Sequence, residues 1–203
     1  QSAVRFNTYI GLAIVSALAA GSGAQMLAVI LAVCIPLVNV LSIVALLPKE
    51  QLCLGTVLLS VLKNPLVSSC VVGIAVNVLD IPLWQGLQQL LKLLATCSLT
   101  MGLLCVGAAL QFTQVKLNWR LVLLNSAWRL LCIPLLAWAM CGVFGLSAVA
   151  TQVLVIFFGL PTASASYILT KVLKGDAPLM ASIISVQTLL SLLTLPWLIF
   201  ITA

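Results

Sequence analysis

The 203-residue chain is 64% hydrophobic and only 6% charged, and its mean hydropathy is +1.31. Soluble domains contain roughly 45–50% apolar and about 25% charged residues, so this composition excludes a water-soluble fold. The net charge of +6 comes from scattered Lys and Arg without a basic run, which excludes a nucleic-acid-binding protein. The apolar residues form blocks of about 20, the length that a helix needs to cross a bilayer.

The apolar blocks predict an all-α protein with several membrane spans. Residues 7–20 are too short to cross alone, so they are predicted to be the second half of a span. Residues 51–62 suit an interfacial segment better than a crossing. Complete spans are predicted at residues 24–47, 64–84, 93–112, 121–143, 148–170 and 178–201. Because the chain begins at Gln1 inside a predicted helix, we expect roughly 100 residues, with about three and a half spans, to precede it.

Alternating the loops between the two sides of the membrane separates the basic residues. One side carries Lys49, Lys63, Lys116, Arg120, Lys171 and Lys174, and the other carries Lys92. Because Lys and Arg are retained on the cytoplasmic side during insertion, loops 48–63, 113–120 and 171–177 are predicted to be cytoplasmic and the C-terminus to lie outside.

A weak internal repeat connects the two ends of the chain. Four residues recur with the same spacing: Ile14, Gly21, Met26 and Ile30 as Ile168, Gly175, Met180 and Ile184. Chance matches among apolar residues produce similar patterns. An odd number of predicted crossings separates the copies, however, which indicates an inverted repeat of the kind found in secondary transporters. The predicted units are the end of a first repeat (1–47), a connector (48–63) and a second repeat (64–203).

The predicted span 148–170 contains a run of small and polar residues around a proline. Gly159 and Pro161 interrupt the helical pattern, and the hydroxyls of Thr162, Ser164 and Ser166 follow. Such a break is tolerated in mid-bilayer where protein or a water-filled cavity surrounds it, which favours a substrate site. The alternative is a simple proline kink packed by small residues.

Polar residues also precede the N-terminal apolar block, where a span should lie in mid-membrane. Arg5 at that depth costs at least ~2.5–3.5 kcal/mol, and an anionic substrate would offset the cost. If a loop occupies this position instead, Arg5 is a surface charge. Arg129 lies about 13 Å inward of Arg120 along a helix, so it either snorkels to the interface or faces a cavity.

The remaining polar residues contain no recognisable reaction centre. Other intramembrane amides are predicted to join helices by hydrogen bonds: Asn39, Asn77, Asn125, Gln152 and Gln187. The three acids, Glu50, Asp80 and Asp176, all fall at span ends. The chain has seven cysteines, without a C-x-x-C pair, and no histidine. We therefore expect no metal ion, no cofactor and no enzymatic activity.

Several segments, in order along nearly the whole chain, resemble the auxin efflux carrier family in its bacterial, malonate-permease-like form. The resembling segments are Arg5 to Leu12, Lys63-Asn64-Pro65-Leu66, Asp80-Ile81-Pro82-Leu83, Thr100 to Leu110, and Leu160-Pro161 with the final span. The resemblance implies ten spans in two inverted five-span repeats, with two broken helices crossing at the site. It places Arg5 and Asn7 at the first crossover, and Pro161, Thr162 and Ser164 at the second. Plant members usually carry Asn or Gln where this chain has Thr162.

The function implied is secondary active transport of a small organic anion, such as a malonate-like dicarboxylate, by alternating access. The expected substrate-binding residues are Arg5, Asn7, Arg129, Gly159, Pro161, Thr162 and Ser164. The expected partners are the anion, the bilayer of a bacterial inner membrane, H⁺ or Na⁺ as the coupling ion, and a second copy of the chain in a homodimer. A pore-like or receptor-like membrane protein without coupled transport is the alternative.

Overall fold

The computed structural model describes residues 2, 4–18, 21–46, 65–108, 118–172 and 175–202, and every regular element in these ranges is a helix. The helices are α1 (Thr8–Leu18), α2 (Ser22–Leu46), α3 (Pro65–Val78), α4 (Gln85–Ala108), α5 (Trp119–Val143), α6 (Ala148–Gly159), α7 (Ala165–Val172) and α8 (Ala177–Thr202). A π-helical turn, Trp128–Cys132, interrupts α5. The predicted all-α class is confirmed.

Four of the described helices are long and apolar enough to cross a membrane. These are Ser22–Ser42 within α2, Gln85–Ala108, Trp119–Val143 and Ala177–Thr202. Large apolar side chains are exposed along α4, including Leu93, Leu94 and Leu104. In water this exposure would be unfavourable, whereas hydrocarbon accepts it. The chain is therefore a polytopic membrane protein.

The helix boundaries follow the predicted spans with two differences. Helix α4 begins at Gln85 rather than at residue 93, so Lys92 lies inside the helix and not in a loop. The Gln-rich start of α4 looks like a loop by hydropathy, but Gln, Leu and Lys are good helix formers. Helix α3 ends at Val78, followed by a turn in which Asp80 has φ 46°. Residues 48–63 and 113–117, with the predictions made for them, lie outside the described residues.

The predicted span 148–170 consists of two helices separated by the non-helical residues 160–164. Leu160 is extended, with φ −65° and ψ 137°, because the proline ring of Pro161 disfavours the α conformation in the residue before it. Ser147 starts α6 by accepting a hydrogen bond from the Ala150 amide at 3.3 Å. The interruption predicted at Pro161 is thus present.

The break lies in the interior of the helix assembly. Helices α1, α2 and α8 all contact α6, and the core between them includes Phe6, Phe157 and the fully buried Leu160. The rings of Phe6 and Phe157 are 4.6 Å apart, centroid to centroid. This packing joins the residues before α1 to the end of α6, so the two non-helical segments meet.

Candidate functional site

Two non-helical segments, residues 4–7 and residues 160–164, lie against each other at the centre of the described helices. The Asn7 amide donates a hydrogen bond to the Pro161 carbonyl at 2.8 Å. The Thr162 hydroxyl donates to the Ser2 carbonyl at 2.7 Å. Asn7 and Thr162 are both almost completely buried. Residues far apart in sequence therefore form one polar centre.

The Asn7 side chain caps the N-terminus of α1 and is also part of the polar centre. Its Oδ1 atom accepts hydrogen bonds from the amides of Tyr9 at 3.1 Å and Ile10 at 3.3 Å, which satisfies two donors of the first helical turn. Its Nδ2 atom is buried and has no hydrogen-bond partner in the described part of the chain. A buried amide donor without a partner is costly, so this N–H group is suited to a solute acceptor.

Arg5 is a buried cation, and among the described residues no carboxylate lies beside it. Its side chain is 6% exposed, and its guanidinium group donates a hydrogen bond to Oδ1 of Asn39 on α2. Asp80 and Asp176 are exposed at helix ends. Within the described ranges no carboxylate pairs with Arg5, so the charge is offset by a neutral amide alone. A buried charge in this setting is stabilised strongly by an anion.

A cavity of about 210 Å³ opens between the two segments. Its polar lining consists of Arg5, Asn7, Thr8, Tyr9, Asn39 and Ser164. Residues 163–165, where α7 begins, also line the cavity. The amides of Ser166 and Tyr167 donate to the carbonyls of Ala163 and Ser164 at 3.0 Å, and the helix dipole places partial positive charge at this end of α7. Guanidinium and helix N-terminus thus both favour an anion in this cavity.

A hydrogen-bond network ties the second segment to α8 and α5. Oε1 of Gln187 accepts a hydrogen bond from the Thr162 amide at 2.9 Å. It also lies 2.7 Å from the Thr162 hydroxyl, so it shares the single proton of that hydroxyl with the Ser2 carbonyl. Nε2 of Gln187 donates to Oδ1 of Asn125 at 3.0 Å. Gln187 is completely buried. The network determines where Thr162 lies when the helices are packed.

Arg129 on α5 and Gly159 at the end of α6 do not line this cavity. Nε of Arg129 donates to the Leu160 carbonyl at 3.0 Å, satisfying an acceptor that the break releases. Arg129 belongs to the π turn of α5, a feature often found at functional sites. Gly159 packs against α8, since a Cβ atom there would lie 2.6 Å from Cδ1 of Leu198.

The predicted site residues thus fall into three groups. Arg5, Asn7 and Ser164 line the cavity, Pro161 and Thr162 connect the two segments, and Arg129 and Gly159 support the end of α6. The predicted set did not include Asn39 and Gln187, which were interpreted as residues that join helices. An amide side chain within a span can either bind a substrate or join two helices. The sequence looks the same in both cases, and only the packing of the helices distinguishes them.

Comparison with known protein families also indicates a membrane transport protein. The sequence profile of a family described as membrane transport protein matches residues 48–199, which include residues 160–164 but not residues 4–7. Neither curated proteins nor solved structures give a match to the chain. The match covers more than half of the chain and agrees with the helical, apolar, broken-helix architecture. The chain therefore belongs to this membrane transport protein family, the family of the auxin efflux carriers.

Proposed function

We propose that the protein is a secondary active carrier that moves a small organic anion by alternating access. The observation that carries this proposal is Arg5, a buried guanidinium without a carboxylate partner among the described residues, facing a cavity bounded by the N-terminus of α7. In secondary transporters, broken helices commonly hold the substrate near the bilayer midplane through such helix ends.

The size and polarity of the cavity favour a short substrate. At about 210 Å³ it is smaller than the ~300–1,000 Å³ typical of pockets for drug-sized ligands. A guanidinium group binds a carboxylate through two parallel hydrogen bonds. Nδ2 of Asn7 and the hydroxyl of Ser164 offer donors for a second carboxylate. A malonate-like dicarboxylate meets these requirements.

Secondary active transport needs an ion gradient across the membrane in which the protein lies. We propose that an H⁺ or Na⁺ gradient across a bacterial inner membrane drives the transport, and that the protein acts as a homodimer. Uptake into proteoliposomes measured with an imposed proton gradient, and separately with an imposed sodium gradient, identifies the coupling ion. Chemical crosslinking in the same membranes measures the oligomeric state.

The test is uptake of radiolabelled malonate by the purified full-length protein in proteoliposomes. We expect saturable uptake, with kcat/KM lowered at least about tenfold by Arg5→Gln, because a charge-assisted hydrogen bond contributes ~1.5–3 kcal/mol. The matched control is Arg120→Gln, since Arg120 is exposed at the start of α5 and lies 5.4 Å from the Trp119 ring centroid. Uptake by this control should stay near the unsubstituted level.

Two outcomes contradict the proposal. Flux that rises linearly with malonate concentration and is insensitive to Arg5→Gln indicates a pore instead of a carrier. Equal uptake by the Arg5→Gln and Arg120→Gln proteins shows that the anion is not bound by Arg5. Thermal unfolding of each variant in detergent separates either result from a loss of folded protein.

A further inference from the structure

A second cavity, of about 560 Å³, adjoins the first. It lies between α1, α4, α7 and α8, and its walls include Met101, Ile168 and Ile184. Tyr9, Ser164 and Ala165 line both cavities. Of these three residues, Tyr9 is the one with an aromatic ring. Its ring is therefore the large group at the boundary between the smaller chamber, which contains Arg5, and the larger one.

The ring of Tyr9 occupies its position because α4 carries a glycine there. A Cβ atom on Gly102 would lie 2.3 Å from Cδ1 and 2.3 Å from Cε1 of Tyr9. Atoms cannot approach so closely, so any side chain at residue 102 would displace the ring. Gly107, on the same helix, has open space around its Cβ position. The contact is thus specific to Gly102, which seats the ring on the α4 backbone.

We propose that Tyr9, seated on Gly102, is the residue that limits the length of the transported anion. This inference rests on the proposed function and specifies its substrate. The two carboxylates of malonate are bound in the small chamber, one by Arg5 and the other by Asn7, and the ring closes that chamber on the α4 side. An additional methylene chain would have to enter the second chamber, whose apolar walls would accept it if the ring were absent.

The experiment compares malonate, glutarate and adipate as substrates of the full-length protein in proteoliposomes. The unsubstituted protein should transport malonate best, with kcat/KM falling as the chain lengthens. In Tyr9→Ala the two chambers join, so the ratio of kcat/KM for adipate to that for malonate should rise at least about tenfold, the size of discrimination that one or two methylenes provide.

Gly102→Ala tests the same contact from α4. Its added methyl group displaces the ring, so the adipate-to-malonate ratio should rise here too. In a Tyr9→Ala background the same substitution should have little further effect, because the two residues act through one contact. Gly107→Ala is the matched control, with a methyl group added to the same helix in open space, and its ratio should equal that of the unsubstituted protein.

The outcomes distinguish this inference from the proposed function. If malonate is transported but the ratio is unchanged in folded Tyr9→Ala, the length limit lies elsewhere and only this inference fails. If Gly102→Ala and Tyr9→Ala act additively, the seating of the ring on α4 is wrong. If neither the unsubstituted protein nor any variant transports the three acids, the proposed function itself fails, and the inference fails with it.

Discussion

Arg5 and Gln187 show how single polar side chains organise the site. Arg5 is surrounded by protein, and its guanidinium group contacts the neutral Asn39. Gln187 uses its carbonyl oxygen for two hydrogen bonds to Thr162 and its amide nitrogen for one to Asn125. The first side chain leaves a positive charge for a solute, whereas the second is fully occupied within the protein. Substitutions of Arg5 and Gln187 should therefore have different effects on stability and transport.

Replacing Gln187 with Leu should lower both stability and transport. The substitution leaves the buried Thr162 amide without an acceptor, at a cost of about 1–3 kcal/mol, and it removes the hydrogen bond that Gln187 donates to Asn125. Gln187→Glu keeps an acceptor for Thr162 and should retain more activity than the leucine variant. Thermal unfolding in detergent and malonate uptake measure these effects. The control is Gln88→Leu on the exposed surface of α4. A Gln187→Leu protein as stable and active as this control would show that the network is dispensable.

At the scale of elements, the helices meet closely where the break occurs. A Cβ atom on Gly11 of α1 would lie 2.7 Å from Cδ1 of Leu160, and Leu160 is completely buried. The residue that Pro161 forces into an extended conformation thus fills the space beside a glycine of another helix. Pro161 alone predicts that the helix is interrupted. Where the interruption lies among the other helices depends on the contact between Leu160 and Gly11.

Gly11→Ala should destabilise the protein by about 1–3 kcal/mol, because overpacking a filled core forces its neighbours to move. The control Gly73→Ala lies on α3 with open space around the added methyl group. It should be neutral or stabilising by about 0.5–1 kcal/mol, since alanine is the better helix former. Shortening Leu160 to Val should restore part of the stability lost in Gly11→Ala. Denaturant unfolding measures these changes, and equal stability of the two alanine variants would contradict the close contact.

At the scale of the whole molecule, we expect α6 and α7 together to form one crossing. At 1.5 Å per residue the 12 residues of α6 span about 18 Å and the 8 residues of α7 about 12 Å. Neither spans ~30 Å of hydrocarbon alone, but the two in series do. With three crossings, by α4, α5 and the α6–α7 pair, we expect the turn after α3 and the turn before α8 to lie on opposite sides.

Single cysteines test this topology. Ile81→Cys and Gly175→Cys introduce thiols at exposed positions of the two turns, in a chain whose seven native cysteines have been replaced. A membrane-impermeant maleimide applied to right-side-out vesicles should label residue 81, and in inside-out vesicles it should label residue 175, as the distribution of Lys and Arg predicts. Labelling of both residues from the same side would mean that α6 and α7 enter and leave the membrane on one side.

The sequence by itself determined the membrane environment, the helical class and the break at Pro161. Each depends on local properties: hydropathy over about 20 residues, and the steric effect of proline on the residue before it. It also indicated Arg5, Asn7 and Ser164, because polar groups are rare in apolar spans. Helix α4 shows the limit of such local properties, because hydropathy predicted its start at residue 93 and the structure has it at Gln85.

Only the tertiary structure decided which polar groups meet. Asn39 lies 34 residues from Arg5, and Thr162 lies 160 residues from Ser2, yet each pair is joined by a hydrogen bond. Tyr9 and Gly102 come together in the same way. A local pattern states that a buried polar side chain needs a partner. Which partner it finds depends on how non-adjacent helices pack, because side chains distant in sequence become neighbours only when the helices assemble.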